Sequence, residues 1–269
     1  MFKIHPTSGY DGIPPSLIKQ VYSEIALPLS DIFNKSLTSG IFPDQMKIAK
    51  IIPMYISEDR YAINNYRPIS ILPFFSEMFQ HLMYNRLLDY VNANNILYPN
   101  QFGFREKHST YMALLKLKDD ISEEIDNTNF FIGIFIDLSK SFDIINHDIL
   151  IKKLNSYGIR DIALEWFKNY LTIRLQYVSI NCTDSSFLPI TCDVPQGSIL
   201  GPLLFILYVN DIISTSNLAK FILFADDTNL FFKHKDLETL INIINTEITK
   251  IVSWFKINEL FLNIKKTNF

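Results

Sequence analysis

The sequence has little cysteine, no long apolar segment and no excess of positive charge. Only two of its 269 residues are cysteines, Cys182 and Cys192, and they lack the spacing and accompanying histidines of a zinc site. The longest apolar run, 203–209, is far too short to cross a bilayer, and the amino terminus has no apolar stretch typical of a signal peptide. We therefore expect a soluble, intracellular protein with reduced thiols and no membrane partner.

Apolar side chains, in contrast, are abundant. Hydrophobic residues make up 48% of the sequence, which excludes a disordered or fibrous chain. The length suffices for one large domain or two closely packed ones. The formal net charge of −3 would be unusual for a protein that binds nucleic acid. Much of the acidity is local, however, because residues 119–148 contain eight acidic residues against the single Lys140.

The most informative feature is an acidic pair, Asp226 and Asp227, between two apolar runs. Adjacent carboxylates raise each other's pKa unless a cation neutralises them. A third carboxylate, Asp137, follows the apolar run 130–136, which is typical of a strand buried on both faces. Such oxygens suit two Mg²⁺ ions, or Mn²⁺ in their place, which can activate a hydroxyl and stabilise a leaving phosphate oxygen. An ordinary acidic turn is the alternative that the pair alone leaves open.

Three segments with distinctive sequences occur in order along the chain. They are Asp-Leu-Ser-Lys-Ser-Phe-Asp at 137–143, Val-Pro-Gln-Gly-Ser-Ile-Leu-Gly-Pro-Leu-Leu-Phe at 194–205, and Phe-Ala-Asp-Asp at 224–227. These segments resemble motifs A, B and C of the reverse transcriptases of non-LTR retrotransposons. Their sequences are most similar to those of the Jockey/CR1-like branch. Further matches are Asp-Gly-Ile-Pro at 11–14, Asn-Tyr-Arg-Pro-Ile-Ser at 65–70 and Gln-Phe-Gly-Phe-Arg at 101–105, which resemble fingers motifs, and 262–267, which resembles motif D. The resemblance covers essentially the whole chain.

The resemblance implies a right-hand polymerase of the α+β class. Its fingers would occupy residues 1–108 and its palm 109–269, packed as one unit, with no thumb in this stretch of sequence. The predicted order of strand, helix, acidic hairpin, helix and closing strand 260–264 fits a split βαβ palm sheet.

The implied activity is RNA-directed DNA synthesis, in which a primer 3′-hydroxyl attacks the α-phosphorus of a dNTP. Template RNA and primer DNA would be partners, as would the endonuclease and thumb segments of a longer polyprotein, and nuclear action is implied as well. An RNA-directed RNA polymerase is one alternative, although such enzymes typically have Gly where this chain has Ala225. The other alternative is a truncated or domesticated copy that acts as a non-catalytic scaffold for nucleic acid.

Four residues are implied to be catalytic. Asp137, Asp226 and Asp227 would hold the metal ions, with the main-chain carbonyl of Leu138 completing a coordination shell. Lys266, in the motif D segment, would donate a proton to the departing pyrophosphate. An ordinary surface charge is the alternative for a lysine so placed.

Five further residues are implied to bind substrates. Phe142 would lie beneath the incoming sugar and leave no room for a 2′-hydroxyl, unless it is a core phenylalanine. Gln196 and Gly197 would lie against the nascent base pair and template, although Pro-Gln-Gly also predicts a tight turn before a helix. Arg67 and Arg105 would bind the triphosphate or template, because a guanidinium presents fixed donors to phosphate; solvated loop arginines are the alternative.

Local patterns predict the main helices and a hairpin. The predictions are a helix over 17–37 interrupted at Pro28 and ending before Gly40, a helix over 75–90, a helix from the N-cap Ser109 to about 125, a hairpin from 175–181 and 187–193, and a helix capped by Ser198.

Overall fold

Helices and short strands alternate along the part of the chain that the computed structural model describes, residues 8–56, 59–139, 144–181, 183–190, 192, 194–195 and 197–269. The α-helices are α1 (Pro15–Gln20), α2 (Tyr22–Ser39), α3 (Phe74–Ala93), α4 (Thr110–Asp126), α5 (His147–Ser156), α6 (Asp161–Leu171), α7 (Gly201–Val209) and α8 (Leu237–Ile257). The strands are β1 (Ile48–Tyr55), β2 (Tyr66–Ile71), β3 (Phe130–Ile136), β4 (Arg174–Ile180), β5 (Thr183–Asp184), β6 (Leu188–Ile190), β7 (Lys220–Phe224) and β8 (Asp227–His234). Short 3-10 helices span Asp44–Met46, Ile63–Asn65 and Asn210–Thr215.

Several helix ends lie where local chemistry predicts them. Ser109 is the N-cap of α4, and its side chain accepts a hydrogen bond from the backbone N–H of Met112. Gly40 ends α2 with a φ of 71°, in the left-handed region where glycine carries no Cβ penalty. Ser198 Oγ accepts a hydrogen bond from Gly201 N (3.1 Å) at the start of α7. These predictions are confirmed.

The predicted interruption at Pro28 is wrong. Helix α2 runs through Pro28, whereas the helical chain breaks at Val21, between α1 and α2. The N–H of Val21 bonds to the carbonyls of both Leu17 and Ile18, each at 3.3 Å. A proline removes a single donor, and the rest of a long helix retains its own bonds.

The first of two compact units comprises Met1–Leu88 and His147–Gly201. Its sheet has the strand order β2-β1-β4-β5, with β6 also paired to β4. Strand β1 is antiparallel to β2 and parallel to β4. The hairpin predicted from residues 175–181 and 187–193 is present, because β4 pairs antiparallel with β6 and also with the short strand β5.

Aromatic side chains form the core of this unit. Trp166 is almost fully buried and stacks on Tyr170, with ring centroids 5.6 Å apart. Its indole N–H donates to Ser36 Oγ (3.1 Å), and Tyr170 OH donates to Gln80 Oε1 (3.1 Å). Truncating a buried side chain of this size costs about 3–5 kcal/mol, so this cluster is a major source of the unit's stability.

The second unit comprises Asp89–Asn146 and Pro202–Phe269. Its antiparallel sheet has the order β3-β8-β7. Helix α4 packs on this sheet with a buried acid, Asp120, whose Oδ1 lies 2.8 Å from Lys116 Nζ and 2.6 Å from Lys220 Nζ. A buried carboxylate needs such partners because burial of an unpaired charge is strongly unfavourable. Helix α8 also contacts β8.

Strand β3 has the predicted bounds but not the predicted burial. Most of its side chains are only partly buried, and Phe130 and Phe135 are 48% and 43% exposed. Strand β3 lies at the edge of an antiparallel sheet, so it has a neighbouring strand on one side only. Its side chains are therefore less covered than those of a central strand. The expectation of burial on both faces is therefore wrong.

The two compact units are discontinuous in sequence, whereas the predicted fingers and palm regions, 1–108 and 109–269, are each continuous. Each unit combines an early segment with a later one, and the chain passes between them at residues 88, 146 and 201. The assignment of fingers and palm to particular residues stays a prediction. Among the described helices, each is too short or too polar to span a bilayer.

Candidate active site

The three predicted metal ligands lie at one end of the β3-β8-β7 sheet. Asp137 follows β3 directly, and Asp227 is the first residue of β8. The antiparallel register pairs Ile136 with Thr228, so one further step along both strands brings Asp137 alongside Asp227. Adjacent strands lie about 4.7–4.9 Å apart, and residues distant in sequence therefore meet at one short edge.

Asp226 lies in the two-residue turn of the β7–β8 hairpin. Phe224 pairs with Asp227, which leaves Ala225 and Asp226 as the turn. Ala225 has a φ of 55°, in the left-handed region that costs a non-glycine residue about 1–2 kcal/mol. The turn that carries Asp226 therefore begins at a strained residue, Ala225, whose conformation surrounding contacts must maintain.

A segment around Gln101 supports this turn from the outer edge of β7. Phe102 N donates to Leu223 O (2.8 Å), and Leu223 N donates to Asn100 O (2.9 Å). The side chain of Gln101 reaches the turn itself, where its Oε1 accepts a hydrogen bond from Ala225 N (3.2 Å). No role for Gln101 was predicted, because its contact with Ala225 joins residues too far apart in sequence for a local pattern to reveal.

The last residues of the chain bring Lys266 to Asp137. Asn263 N donates to the carbonyl of Asp137 (2.9 Å), and Ser139 N donates to Phe261 O (2.9 Å). The ammonium of Lys266 lies 3.9 Å from Asp137 Oδ2. The Lys266 side chain is 71% exposed and that of Asp137 30%, so solvent screens this ion pair.

This segment corrects the predicted closing strand 260–264. Among the described residues, its backbone pairing with the chain near β3 consists of two isolated bridges, Leu138 with Leu262 and Phe135 with Asn268. Between the bridges the chain turns, because the carbonyl of Asn263 accepts hydrogen bonds from the backbone N–H groups of Lys266 and Thr267. A continuous strand is therefore interrupted at the turn that carries Lys266.

Electrostatic repulsion acts on Asp227. Although this residue is exposed, partial burial of its carboxyl raises its pKa, and the negative charges of Asp226 and Asp137 raise it further. Asp226 and Asp137 are therefore close enough to influence the ionisation of Asp227. A cation placed among them would relieve this repulsion.

Asp227→Asn is expected to raise the unfolding temperature of the metal-free protein at pH 7. A carboxyl whose pKa is raised by folding destabilises the fold while it is ionised. The destabilisation disappears as the pH falls below the unfolded-state pKa, near 3.9, so the gain should vanish there. Thermal unfolding in EDTA at several pH values would measure it, with the exposed Asp119→Asn as control. An equal gain from Asp119→Asn would contradict the assigned repulsion.

The donor set suits Mg²⁺ or Mn²⁺, which prefer oxygen ligands. Within the described ranges, no three carboxylate, histidine or cysteine side chains converge closely enough to hold a metal ion by themselves. Mg²⁺ in nucleotide enzymes is usually bound by one or two carboxylates together with substrate phosphates and water. The arrangement therefore suits a cation site that a bound nucleotide completes.

Arg105 lies in the same unit, in the segment that supports the turn. Its Nη1 donates to the carbonyls of Tyr98 (3.1 Å) and Gln101 (3.2 Å). Partial burial lowers the pKa of its guanidinium. These contacts give Arg105 a structural task in the loop, and its predicted contact with substrate stays a prediction.

Two other predicted substrate residues belong to the first unit. Arg67 is exposed on β2, opposite Met54 of β1. Gly197 has a φ of 107°, and a Cβ built there would lie 2.9 Å from Ser70 O of the same strand. Glycine is therefore required at position 197 for both its conformation and its close approach to β2.

A cavity of about 360 Å³ lies beside Gly197. Its lining includes Ile13, Ile69 and Ser70, so residues of two segments that resemble fingers motifs meet Gly197 there. Phe142 and Gln196 lie outside the described residues, as does Cys182, and their predicted roles stay predictions. Cys192 is a free, exposed thiol.

The fold is that of a reverse-transcriptase-type polymerase. A telomerase from Candida albicans, solved with a fragment of telomeric RNA, superimposes with a TM-score of 0.59 at 12% sequence identity. The match covers 95% of this chain and 46% of the telomerase chain. At this identity the similarity establishes the fold alone.

Sequence comparison then gives the family. Residues 57–269 match the model described as reverse transcriptase (RNA-dependent DNA polymerase), and the chain belongs to that family. Members of this family generally use divalent metal ions. The family match confirms the reverse transcriptase part of the predicted resemblance, and the relatives confirm its non-LTR retrotransposon part.

Two proteins from Drosophila melanogaster are similar to this chain in sequence. The chain is 29% identical to a probable RNA-directed DNA polymerase from transposon BS, over 96% of this chain and 29% of the relative. It is 31% identical to the RNA-directed DNA polymerase from mobile element jockey, over 78% of this chain and 24% of the relative. The chain thus spans less than a third of the length of these relatives.

Proposed function

We propose that this chain is the catalytic polymerase region of a non-LTR retrotransposon reverse transcriptase, which adds dNTPs to a primer 3′-hydroxyl on an RNA template. The observation that carries the proposal is the convergence of Asp137 and the Asp226-Asp227 turn at one end of a three-stranded sheet. Neighbouring carboxylates that raise a pKa are a feature of metal-dependent sites. Family membership supplies the reaction class.

The carboxylates would hold two divalent cations, Mg²⁺ or Mn²⁺, with Asp137 and Asp226 as the principal ligands and Asp227 assisting. When bound, these ions would lower the pKa of the primer hydroxyl and neutralise charge on the leaving pyrophosphate. The protein contributes the fixed geometry of the ligands. Asp137 is held through its own carbonyl by Asn263, and Asp226 through the support of the neighbouring Ala225.

Lys266 is proposed to protonate the departing pyrophosphate. Its ammonium already lies on the Asp137 side of the site, at 3.9 Å from the carboxylate, and its exposure leaves it able to move toward a bound nucleotide. The proton passes from Nζ to a pyrophosphate oxygen as the bond from that oxygen to the α-phosphorus breaks.

Lys266→Ala is expected to slow single-nucleotide incorporation about 100-fold, because a general acid typically contributes 10²–10⁴-fold. Rapid-quench measurement of one turnover would determine the rate, and Lys266→Arg should restore charge but little proton donation. Its exposed neighbour provides the matched control, Lys265→Ala. Equal losses in the two alanine variants would indicate a general effect of positive charge and contradict the proton-transfer role.

The cavity beside Gly197 is proposed to receive the template or the nascent base pair. Its lining is mostly apolar, with Ser70 and Glu77 as the polar side chains. Flat apolar surfaces suit nucleobases, and the backbone at Gly197 carries no side chain that would prevent their approach. Gln196, Arg67 and Arg105 stay candidates for contacts with nucleic acid, and Phe142 for selection against the 2′-hydroxyl.

Primer extension tests the proposed function directly. The chain, and a longer version with more of the polyprotein, would be given an RNA template, a DNA primer, Mg²⁺ and dNTPs. We expect deoxynucleotide addition that depends on Asp226. Equal incorporation of ribonucleotides would favour an RNA-directed RNA polymerase. Failure of both versions to extend, with folding and RNA binding retained, would favour a non-catalytic scaffold.

A further inference from the structure

We propose that Gln101 is a positioning residue for the metal-binding turn, and that its side-chain carbonyl holds the Ala225 peptide in the orientation that presents Asp226 and Asp227. This inference rests on the proposed function. Gln101 touches neither substrate nor metal in the proposal, and it acts through the backbone of the turn.

The Gln101 side chain is almost completely buried, with 1% of its surface exposed. Its Oε1 accepts two main-chain hydrogen bonds, from Gly103 N (2.9 Å) and from Ala225 N (3.2 Å). One oxygen therefore joins the segment that carries Gln101 to the turn that carries the carboxylates. Ala225 is itself buried, so its N–H needs a protein acceptor in place of water.

The turn requires this support because of its backbone conformation. Ala225 has a φ of 55°, which a residue with a Cβ rarely adopts unless its surroundings enforce it. A fixed acceptor opposite the Ala225 N–H favours this orientation of the peptide over relaxed alternatives. Loss of the acceptor would allow the peptide to rotate, and Asp226 follows immediately in the chain.

The segment that carries Gln101 is itself held firmly. Asn210 Oδ1 accepts a hydrogen bond from Tyr98 N (2.8 Å), and Asn210 Nδ2 donates to Ile96 O (2.9 Å). Arg105 Nη1 then donates to the carbonyl of Gln101 (3.2 Å). The segment that carries Gln101 is thus held by contacts that do not involve the turn, and a residue that orients another needs such independent support.

Close packing adds a second restraint. Gly103 lies so near the turn that a Cβ built on it would fall 2.0 Å from Ala225 N. Phe102 packs in the core with Ile222 and Phe231, which anchors the segment to both strands of the hairpin. The contact between Gln101 and Ala225 is therefore part of a closely packed junction between this segment and the hairpin.

Gln101→Leu tests the proposal, because it keeps much of the side-chain volume and removes the acceptor. Mn²⁺ affinity, measured by EPR with a saturating dNTP that completes the site, is expected to fall about 10-fold or more, as for other residues that orient metal ligands. The kcat of single-nucleotide incorporation is expected to fall about 10–100-fold, with the KM for dNTP changed less than about 3-fold.

The matched control is Gln80→Leu. Gln80 is equally buried, in the first unit, and its Oε1 also accepts two hydrogen bonds, from Tyr170 OH and from Ile199 N. The two variants lose the same kind of buried acceptor, so both should lose thermal stability. Only Gln101→Leu should weaken Mn²⁺ binding.

A second substitution tests the mechanism by rescue. Ala225→Gly removes the Cβ penalty at positive φ, so it should restore part of the Mn²⁺ affinity in the Gln101→Leu background. If Gln101→Leu does not fold, Gln101→Asn, whose shorter amide cannot reach as far, carries the same comparison with and without Ala225→Gly.

Three outcomes separate this inference from the proposed function. Mn²⁺ affinity equal to wild type in folded Gln101→Leu would overturn the positioning role. Weakened Mn²⁺ binding with partial rescue by Ala225→Gly would support it. If the wild-type chain binds Mn²⁺ through Asp226 but never extends a primer, the proposed function fails, while the binding comparison still decides the role of Gln101.

Discussion

Replacing Asp226 by asparagine is expected to reduce primer extension by at least about 10³-fold, equivalent to roughly 4 kcal/mol of transition-state stabilisation. The substitution keeps the shape of the side chain and its place in the two-residue turn between β7 and β8. It removes one negative charge from the three carboxylates whose convergence at one end of the sheet carries the proposed function. A neutral amide is a poor ligand for a divalent cation, so the loss should fall on catalysis.

Folding provides the decisive companion measurement for this variant. Because the substitution removes a like charge beside Asp227, the unfolding temperature in EDTA should stay the same or rise. The exposed Asp119→Asn variant is the control for loss of a carboxylate elsewhere in the same unit. Primer extension by Asp226→Asn within about tenfold of wild type would refute the assignment of Asp226 as a principal metal ligand.

Gly103→Ala is expected to lower the unfolding temperature by about 6–12 °C and to abolish primer extension. The added Cβ would lie 2.0 Å from Ala225 N and 2.7 Å from its Cα, and neither is the end of a flexible side chain. The chain must therefore move the segment away from β7 or distort the turn. Such overpacking costs about 3 kcal/mol, which corresponds to about 2–4 °C per kcal/mol for a chain of this size.

Gly12→Ala is the comparison for Gly103→Ala. Gly12 has a φ of 67°, but a Cβ built there would meet no atom within 4 Å. Its replacement should therefore carry only the left-handed penalty of about 1–2 kcal/mol. Calorimetry of the two variants would separate steric collision from backbone strain. Equal stability losses would show that the contact between Gly103 and Ala225 is easily relieved.

Features that depend on neighbours in sequence were predictable. The Ser109 cap, the left-handed Gly40 and the bounds of β3 follow from local chemistry and from a continuous apolar run. The acidic hairpin was also identified, because two carboxylates between apolar strands demand an explanation in terms of charge. In the structure these carboxylates and Asp137 lie at the same end of one sheet, and their role as metal ligands stays a prediction.

Features that depend on distant contacts were not predictable. The hydrogen bond between Gln101 and Ala225 joins positions 124 residues apart. The burial of β3 depends on which strands pair with it, and its edge position is a property of the whole sheet. The predicted strand 260–264 is replaced by isolated bridges and a turn, because the carbonyl of Asn263 accepts hydrogen bonds from the backbone N–H groups of Lys266 and Thr267.

Residues 261–268 cover part of the exposed backbone edge of β3. The backbone N–H and C=O of Phe135 are both bonded to Asn268, at 2.8 and 3.0 Å, and Ser139 N is bonded to Phe261. An uncovered edge strand with exposed phenylalanines is a template for pairing between molecules. Removal of residues 261–269 would uncover those groups, so the shortened chain should self-associate through β3 and lose solubility.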